Sequence, residues 1–229
     1  MKLWHISDTH GLHEQLPVPN DVEVVVHSGD ASNNKNPYIN EKEFRNFLAW
    51  FSNLSIPHKI FVPGNHETSF ERNLVRKDEL IDLGITPLVD SGTEISGIKI
   101  WGSPWVPRYG EWAWMVGRGS LNKKWQNIPE DTDVLVTHGP PFSCLDATYS
   151  RQNDIELVGC RALQKRVMAL RLEAHLFGHV HSDGDLQNNG TRTMLGLKTV
   201  FSNGSCCHDG VMEKITSVGN ILEVSKMSE

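Results

Sequence analysis

No apolar run in the 229 residues approaches the roughly 20 that a membrane-spanning helix needs. With a strand-like segment starting at Lys2, no signal peptide is expected either. Cysteine is scarce: the four, at positions 144, 160, 206 and 207, show no paired metal-site spacing. The adjacent Cys206 and Cys207 are poorly suited to bridging each other, so a reduced, soluble, cytoplasmic setting is the simpler expectation. Basic residues are outnumbered, 22 Lys and Arg against 28 Asp and Glu for a net charge of -6, and they form no long run. That balance disfavours a protein that grips an extended nucleic acid. No repeat, linker or low-complexity tract marks a boundary, so residues 1–229 are expected to fold as a single α/β domain with a substantial core.

What is present is a recurring pairing of apolar runs with ligand-type side chains. Five stretches pass from a strand-like segment into His, Asp or Asn: Leu3 to His10, Val24 to Asp30, Ile60 to Glu67, Val134 to Pro141 and His175 to His181. Strands buried on both faces read as continuous Val, Ile, Leu and Phe, and in layered α/β folds ligands gather at their carboxyl ends. Asp8, His10, Asp30, Asn65, His138, His179 and His181 therefore converge. They offer imidazole, carboxylate and amide donors without a thiolate, which suits Mn, Fe, Zn, Ni or Co. Strand alternation puts Asp8 and His10 on one face, and His179 and His181 likewise. Two ions about 3.5–4 Å apart need a bridging group, and the carboxylate of Asp30 is the natural one.

The ordered set Asp-x-His, Gly-Asp, Gly-Asn-His-Glu, His and Gly-His-x-His resembles the calcineurin-like metallophosphoesterase superfamily. The motifs THGPP (Thr137 to Pro141), GSPW (Gly102 to Trp105) and VGC (Val158 to Cys160) are similar to its small MPPED-like phosphodiesterase branch. The resemblance implies a two-sheet sandwich flanked by helices. It implies that Asp8, His10 and His181 bind one metal, that Asp30 bridges, and that Asn65, His138 and His179 complete the second site. It leaves His66 as a non-ligand catalytic histidine near the leaving group. The implied chemistry is phosphoester hydrolysis by a hydroxide shared between two ions, Mn being favoured. A phosphodiesterase on nucleotide-like or cyclic diesters is the leading reading. The alternatives are a phosphomonoesterase, including a protein phosphatase, a nuclease, and a scaffold that keeps only the fold. A small phosphoester is the expected partner, and stable binding to a membrane or nucleic acid is not expected.

The remaining histidines have plainer readings. His5, His27, His58, His175 and His208 are expected to be structural, and His13 to lie at the surface or behind the ligands. Asn40 followed by Glu43 suggests a helix start, with Phe44, Phe47, Leu48 and Phe51 as its apolar face. Further helices are expected within Glu71 to Leu83 and over about Arg161 to Leu172. Two strands within Glu94 to Trp101 would join at Ser96-Gly97, and Gln187 to Met194 would turn at Asn189-Gly190. Five of the seven tryptophans fall between Trp101 and Trp125. Most are expected to be packing residues under a long loop, with Arg108, Tyr109 and Trp112 kept as substrate-contact candidates. Arg108 or Arg151 would be the extra donor that a dianionic monoester requires.

Overall fold

The structure is a computed structural model that describes residues 1–194, 196–208 and 211–226. The first part alternates strand and helix: β1 (Lys2–Ile6), β2 (Val24–His27), α1 (Pro37–Ser52), β3 (His58–Phe61), α2 (Thr68–Glu71), α3 (Lys77–Asp82) and β4 (Ile85–Pro87). The middle runs through β5 (Ser91–Ile95), β6 (Ile98–Ser103), the short β7 (Val106–Pro107) and β8 (Met115–Val116), α4 (Arg118–Trp125) and β9 (Val134–Thr137). Then come β10 (Ala147–Tyr149), β11 (Ile155–Leu157), α5 (Arg161–Ala169) and β12 (Ala174–Phe177). The chain closes with β13 (Gly190–Thr193), β14 (Val200–Asn203), β15 (Cys207–His208), β16 (Val211–Ile215) and β17 (Asn220–Glu223).

These strands build two main sheets, ordered β17-β1-β2-β3-β4 and β13-β14-β12-β9-β6-β5. Within them β1 to β4 run parallel, as do β6, β9, β12 and β14, while β17, β5 and β13 are antiparallel edges. Alternation along each strand divides its side chains between two cores. Leu3, Val24, Val26 and Ile60 face Ile100, Val134, Val136 and Leu176 between the sheets. Their neighbours Trp4, Val25 and Phe61 point the other way, onto Phe44, Phe47 and Phe51 of α1. On the far side Leu135, Phe177 and Phe201 meet Leu121, Trp125, Leu163 and Val167 of α4 and α5. The result is the helix-flanked two-sheet sandwich that the family resemblance implies. The parallel strands send their carboxyl ends to one end of it.

Several local expectations are corrected. Helix α1 starts at Pro37, and its N-cap is Asn36, whose side chain accepts from Tyr38 N–H; Asn40 is an interior helical residue and fully buried. Glu43 accepts from the backbone of Asn33 and Asn34 instead of closing a box on Asn40. The helix expected within Glu71 to Leu83 is present as α3, and the short α2 just before it, separated by Asn73 at φ 57°, was not expected. Helix α5 stops at Ala169, because Leu170 is extended at ψ 159°, although Leu170 and Leu172 remain buried. The hairpin of β5 and β6 does turn at Ser96 and Gly97, both at positive φ. No hairpin turns at Asn189-Gly190: Gly190 opens β13, which pairs with β14. All four cysteines are free and buried. Among the described residues no helix is long and apolar enough to cross a membrane.

Candidate metal centre

The ligand-type side chains project from connections just beyond the strands rather than from the strands themselves. β1 ends at Ile6 and β12 at Phe177, so strand alternation is not what pairs Asp8 with His10 or His179 with His181. The backbone instead turns left-handed, with φ 52° at Asp8, 43° at His10, 57° at Asp30 and 70° at His179. Such angles are uncommon for non-glycine residues, and they fold the side chains back over the strand ends. The connections pack so closely that a Cβ at Gly178 would strike the Asp8 carboxylate and Ser7, and one at Gly64 would strike Asp30 and the His138 ring.

Two groups of donors result. Ligand atoms of Asp8, His10 and His181 lie within 4.8 Å of one another, and so do those of Asp30, His138 and His179. His138 Nδ1 meets the Ser28 carbonyl at 2.8 Å, so that nitrogen carries the hydrogen. Its Nε2 then faces Asn65 Oδ1 at 3.0 Å and Asp30 Oδ2 at 3.3 Å. Three acceptors pointing together need a cation among them, either a proton on His138 or a metal ion. In the protein without metal the proton serves: burial opposes the charge, but Asp30 holds the His138 pKa up to about 9. His10 repeats the pattern, with Nδ1 3.2 Å from the Ser32 carbonyl and Nε2 3.4 Å from His181 Nε2. Burial keeps His10 neutral, its pKa lowered to about 4. His181 Nε2 also lies 3.1 Å from Asp8 Oδ1. The residues present therefore fit two cations.

The carboxylates are buried yet ionised. Burial works against the charge at Asp8 and Asp30, but His181 for the first and His138 for the second hold both well below the usual carboxylate range. Asp8 is oriented by Ser205 Oγ at 2.8 Å and the His179 N–H at 2.9 Å. Asp30 Oδ1 accepts the His66 N–H at 2.8 Å. His66 Nδ1 is bound to the Asn33 carbonyl at 2.8 Å, which turns Nε2 towards Asp30 Oδ2, 3.9 Å away.

Two supporting residues went unrecognised in the sequence. Glu67 is fully buried and accepts from the N–H groups of Gly64, Asp30, Ala31 and Ser32 and from Ser32 Oγ, tying the Gly-Asn-His-Glu connection to the Gly-Asp one. Burial and the Asp30 charge push its pKa up against those hydrogen bonds. Asn40 donates to the His66 carbonyl, the Asn34 carbonyl and Ser32 Oγ, and accepts from Ser69. The signal available was a polar residue on the buried face of an amphipathic helix.

The other histidines divide as follows. His5 lies between Ser202 and Ser28, His27 against Thr9 and His175 against Thr137, and burial lowers each pKa to about 3. His58 is exposed on β3. His13 is not a surface residue: it is buried against Phe47 and Trp50, beneath α1. A cleft of about 570 Å³ opens over the donor groups, and Arg108, Tyr109 and Trp112 all line it. Trp112 stacks on His66, whereas Trp125 is core, and Trp105 packs against Trp114 and Lys124.

Parallel strands from two sheets thus deliver Asp, His and Asn to one cleft as two groups of candidate metal ligands. The chain belongs to the calcineurin-like phosphoesterase family, whose model matches residues 1–183. It is similar to Metallophosphoesterase domain-containing protein 1 of Homo sapiens, 30% identical over 229 residues that cover 88% of this chain and 65% of that protein. It is 33% identical over 223 residues to UPF0046 protein K07C11.7 of Caenorhabditis elegans, covering 92% of this chain and 71% of that one. The chain thus spans about two thirds of the length of these relatives. The crystal structure of Phosphopantetheinyl Hydrolase (PptH) from Mycobacterium tuberculosis shares the fold, with a TM-score of 0.53 at 15% identity over 90% of this chain and 89% of that one.

Proposed function

We propose that the protein is a dinuclear-metal phosphodiesterase acting on nucleotide-like or cyclic phosphodiesters. The observation that carries this reading is the pair of donor groups opening into one cleft whose other walls include Trp105, Pro107, Tyr109, Trp112 and Leu163. A cleft of about 570 Å³ is far larger than a phosphate requires, and its aromatic walls suit the organic groups of an ester. Asp8, His10 and His181 would hold one ion and Asn65, His138 and His179 the other, with Asp30 between; Mn is favoured from a donor set that also suits Fe, Zn, Ni or Co. Bound ions would neutralise phosphate charge and acidify a water for in-line attack.

The protein's own groups do the orienting. Carbonyl contacts at Nδ1 turn Nε2 of His10 and His66 to the cleft and Nε2 of His138 to Asn65 and Asp30. His66 is the residue that assists the departing alkoxide, by protonating or stabilising it. Two divalent ions, if bound against Asp8 and Asp30, would make the cleft net positive, which would suffice for a monoanionic diester. The net charge of -6 supports a small substrate over a polymer.

One observation favours a phosphomonoesterase instead: Arg108 and Arg118 line the same cleft. Arg108 is paired with Glu111 at 3.2 Å, which reduces the charge it can lend. With Mn near neutral pH, kcat/KM should be higher for bis-p-nitrophenyl phosphate or a 2',3'-cyclic nucleotide than for p-nitrophenyl phosphate. A monoester preference that disappears in Arg108→Ala would transfer the assignment to the phosphomonoesterase. Full activity in chelator-treated, metal-free protein would overturn both.

A further inference from the structure

The Trp-rich segment touches the donor groups at His66. Trp112 lies nearly face to face with its ring, with centroids 4.1 Å apart and planes inclined by 29°. Otherwise the imidazole has the hydrogen bond to Asn33 at Nδ1, Asp30 Oδ2 3.9 Å from Nε2, and an edge contact with His10, centroids 4.8 Å apart. A single hydrogen bond leaves a ring free to tilt about the bonded atom, whereas a flat neighbour stops the tilt. The Trp112 loop is itself anchored to the connection it serves. Ala113 N–H donates to the Asn65 carbonyl at 3.1 Å, and Trp114 N–H to Glu71 at 2.7 Å. Trp112 is therefore followed directly by two stitches to the segment that carries Asn65, His66 and α2.

We propose that Trp112 is a positioning residue for His66, its indole holding the imidazole so that Nε2 faces the leaving group. The inference rests on the reading of His66 given above. The indole face against His66 is covered and unavailable to substrate, so the simpler role of a stacking surface would have to use the other face. The two roles differ in what they do to the reaction. A stacking surface changes KM for every substrate, whereas a positioning residue changes kcat in proportion to how much help the leaving group needs.

The test uses the Mn-loaded full chain and a series of methyl aryl phosphodiesters of rising leaving-group pKa. Trp112→Ala should lose about tenfold to a hundredfold in kcat on the phenyl ester and less than about twofold on the p-nitrophenyl ester, with metal content unchanged. Trp112→Phe, which keeps a flat ring, should recover most of the loss. The double variant Trp112→Ala/His66→Ala should be no slower than His66→Ala. Trp112→Leu replaces the alanine variant if that protein fails to fold. A uniform fall across the series, a change in KM alone, or a further loss in the double variant would overturn the inference. If His66→Ala shows the leaving-group dependence and Trp112→Ala does not, the inference fails alone. If His66→Ala shows none, the reading of His66 fails and takes the inference with it.

Discussion

Asp30 stands on left-handed backbone at φ 57° with its carboxylate among two histidines and an asparagine. That conformation costs a residue bearing a Cβ roughly 1 kcal/mol or more, and glycine escapes it. In chelated protein Asp30→Gly should therefore melt above Asp30→Ala, by about 1 kcal/mol of stability; equal melting would remove the strain. If Asp30 is shared by both ions, elemental analysis should find both depleted in Asp30→Ala, but mainly one in His181→Ala. Two tightly held ions in Asp30→Ala would refute sharing. Glu67 gives the complementary case, since it meets only donors. In Glu67→Gln an amide NH₂ must face some of them, so urea unfolding should show a loss of about 2–4 kcal/mol.

At the scale of elements, α1 separates capping from tying. Asn36→Ala removes one cap bond and should cost about 1 kcal/mol with turnover unchanged. Asn40→Ala frees the His66 carbonyl and Ser69 together, so it should cost more and lower turnover as well; equal effects of the two variants in urea titrations and rate assays would contradict this. The exchange of roles also shows where the sequence was readable. The apolar runs that become β1, β2, β3, β9 and β12 are visible because burial on both faces demands them. The connections after them are not: nothing in the local pattern marks Asp8 and His179 as left-handed, so residues that do come together in space were grouped for the wrong geometric reason. Asn40 and Glu43 imitate a capping box by spacing alone, while Asn36-Pro37, the actual start, carries an equally ordinary signal. The tail of α5 misleads similarly, because Leu170 is buried whether or not the helix continues. Glu67 and Trp112 act through partners far apart in sequence, which no local pattern encodes.

For the whole molecule, titration of the cleft should be visible in stability. His138 is raised to about 9, so in metal-free protein its contribution is complete below about pH 6.5 and disappears as pH climbs towards 9, on the order of 3 kcal/mol. His5, His10, His27, His175 and His179 are lowered to about 3 or 4, so theirs is lost as pH falls below 6.5. Chelated protein should thus be most stable near pH 6.5. Mn-loaded protein should keep its stability to pH 9, because an ion replaces the His138 proton; denaturant midpoints across this range check both, and a flat alkaline limb in chelated protein would exclude the His138–Asp30 pair. The two sheets also have a consequence for breathing motions. Asp8, His10, Asp30 and Asn65 follow strands of one sheet, and His138, His179 and His181 follow strands of the other. Backbone links from Ser7 to Gly204 and Cys206 join the sheets at that same end. Ions held there would act as a clasp on one mouth of the sandwich, while β4 and β5 at the far edges gain nothing from it. Deuterium uptake should therefore accelerate at Ser7, Gly204 and Cys206 when the clasp is chelated away, and stay unchanged along β5.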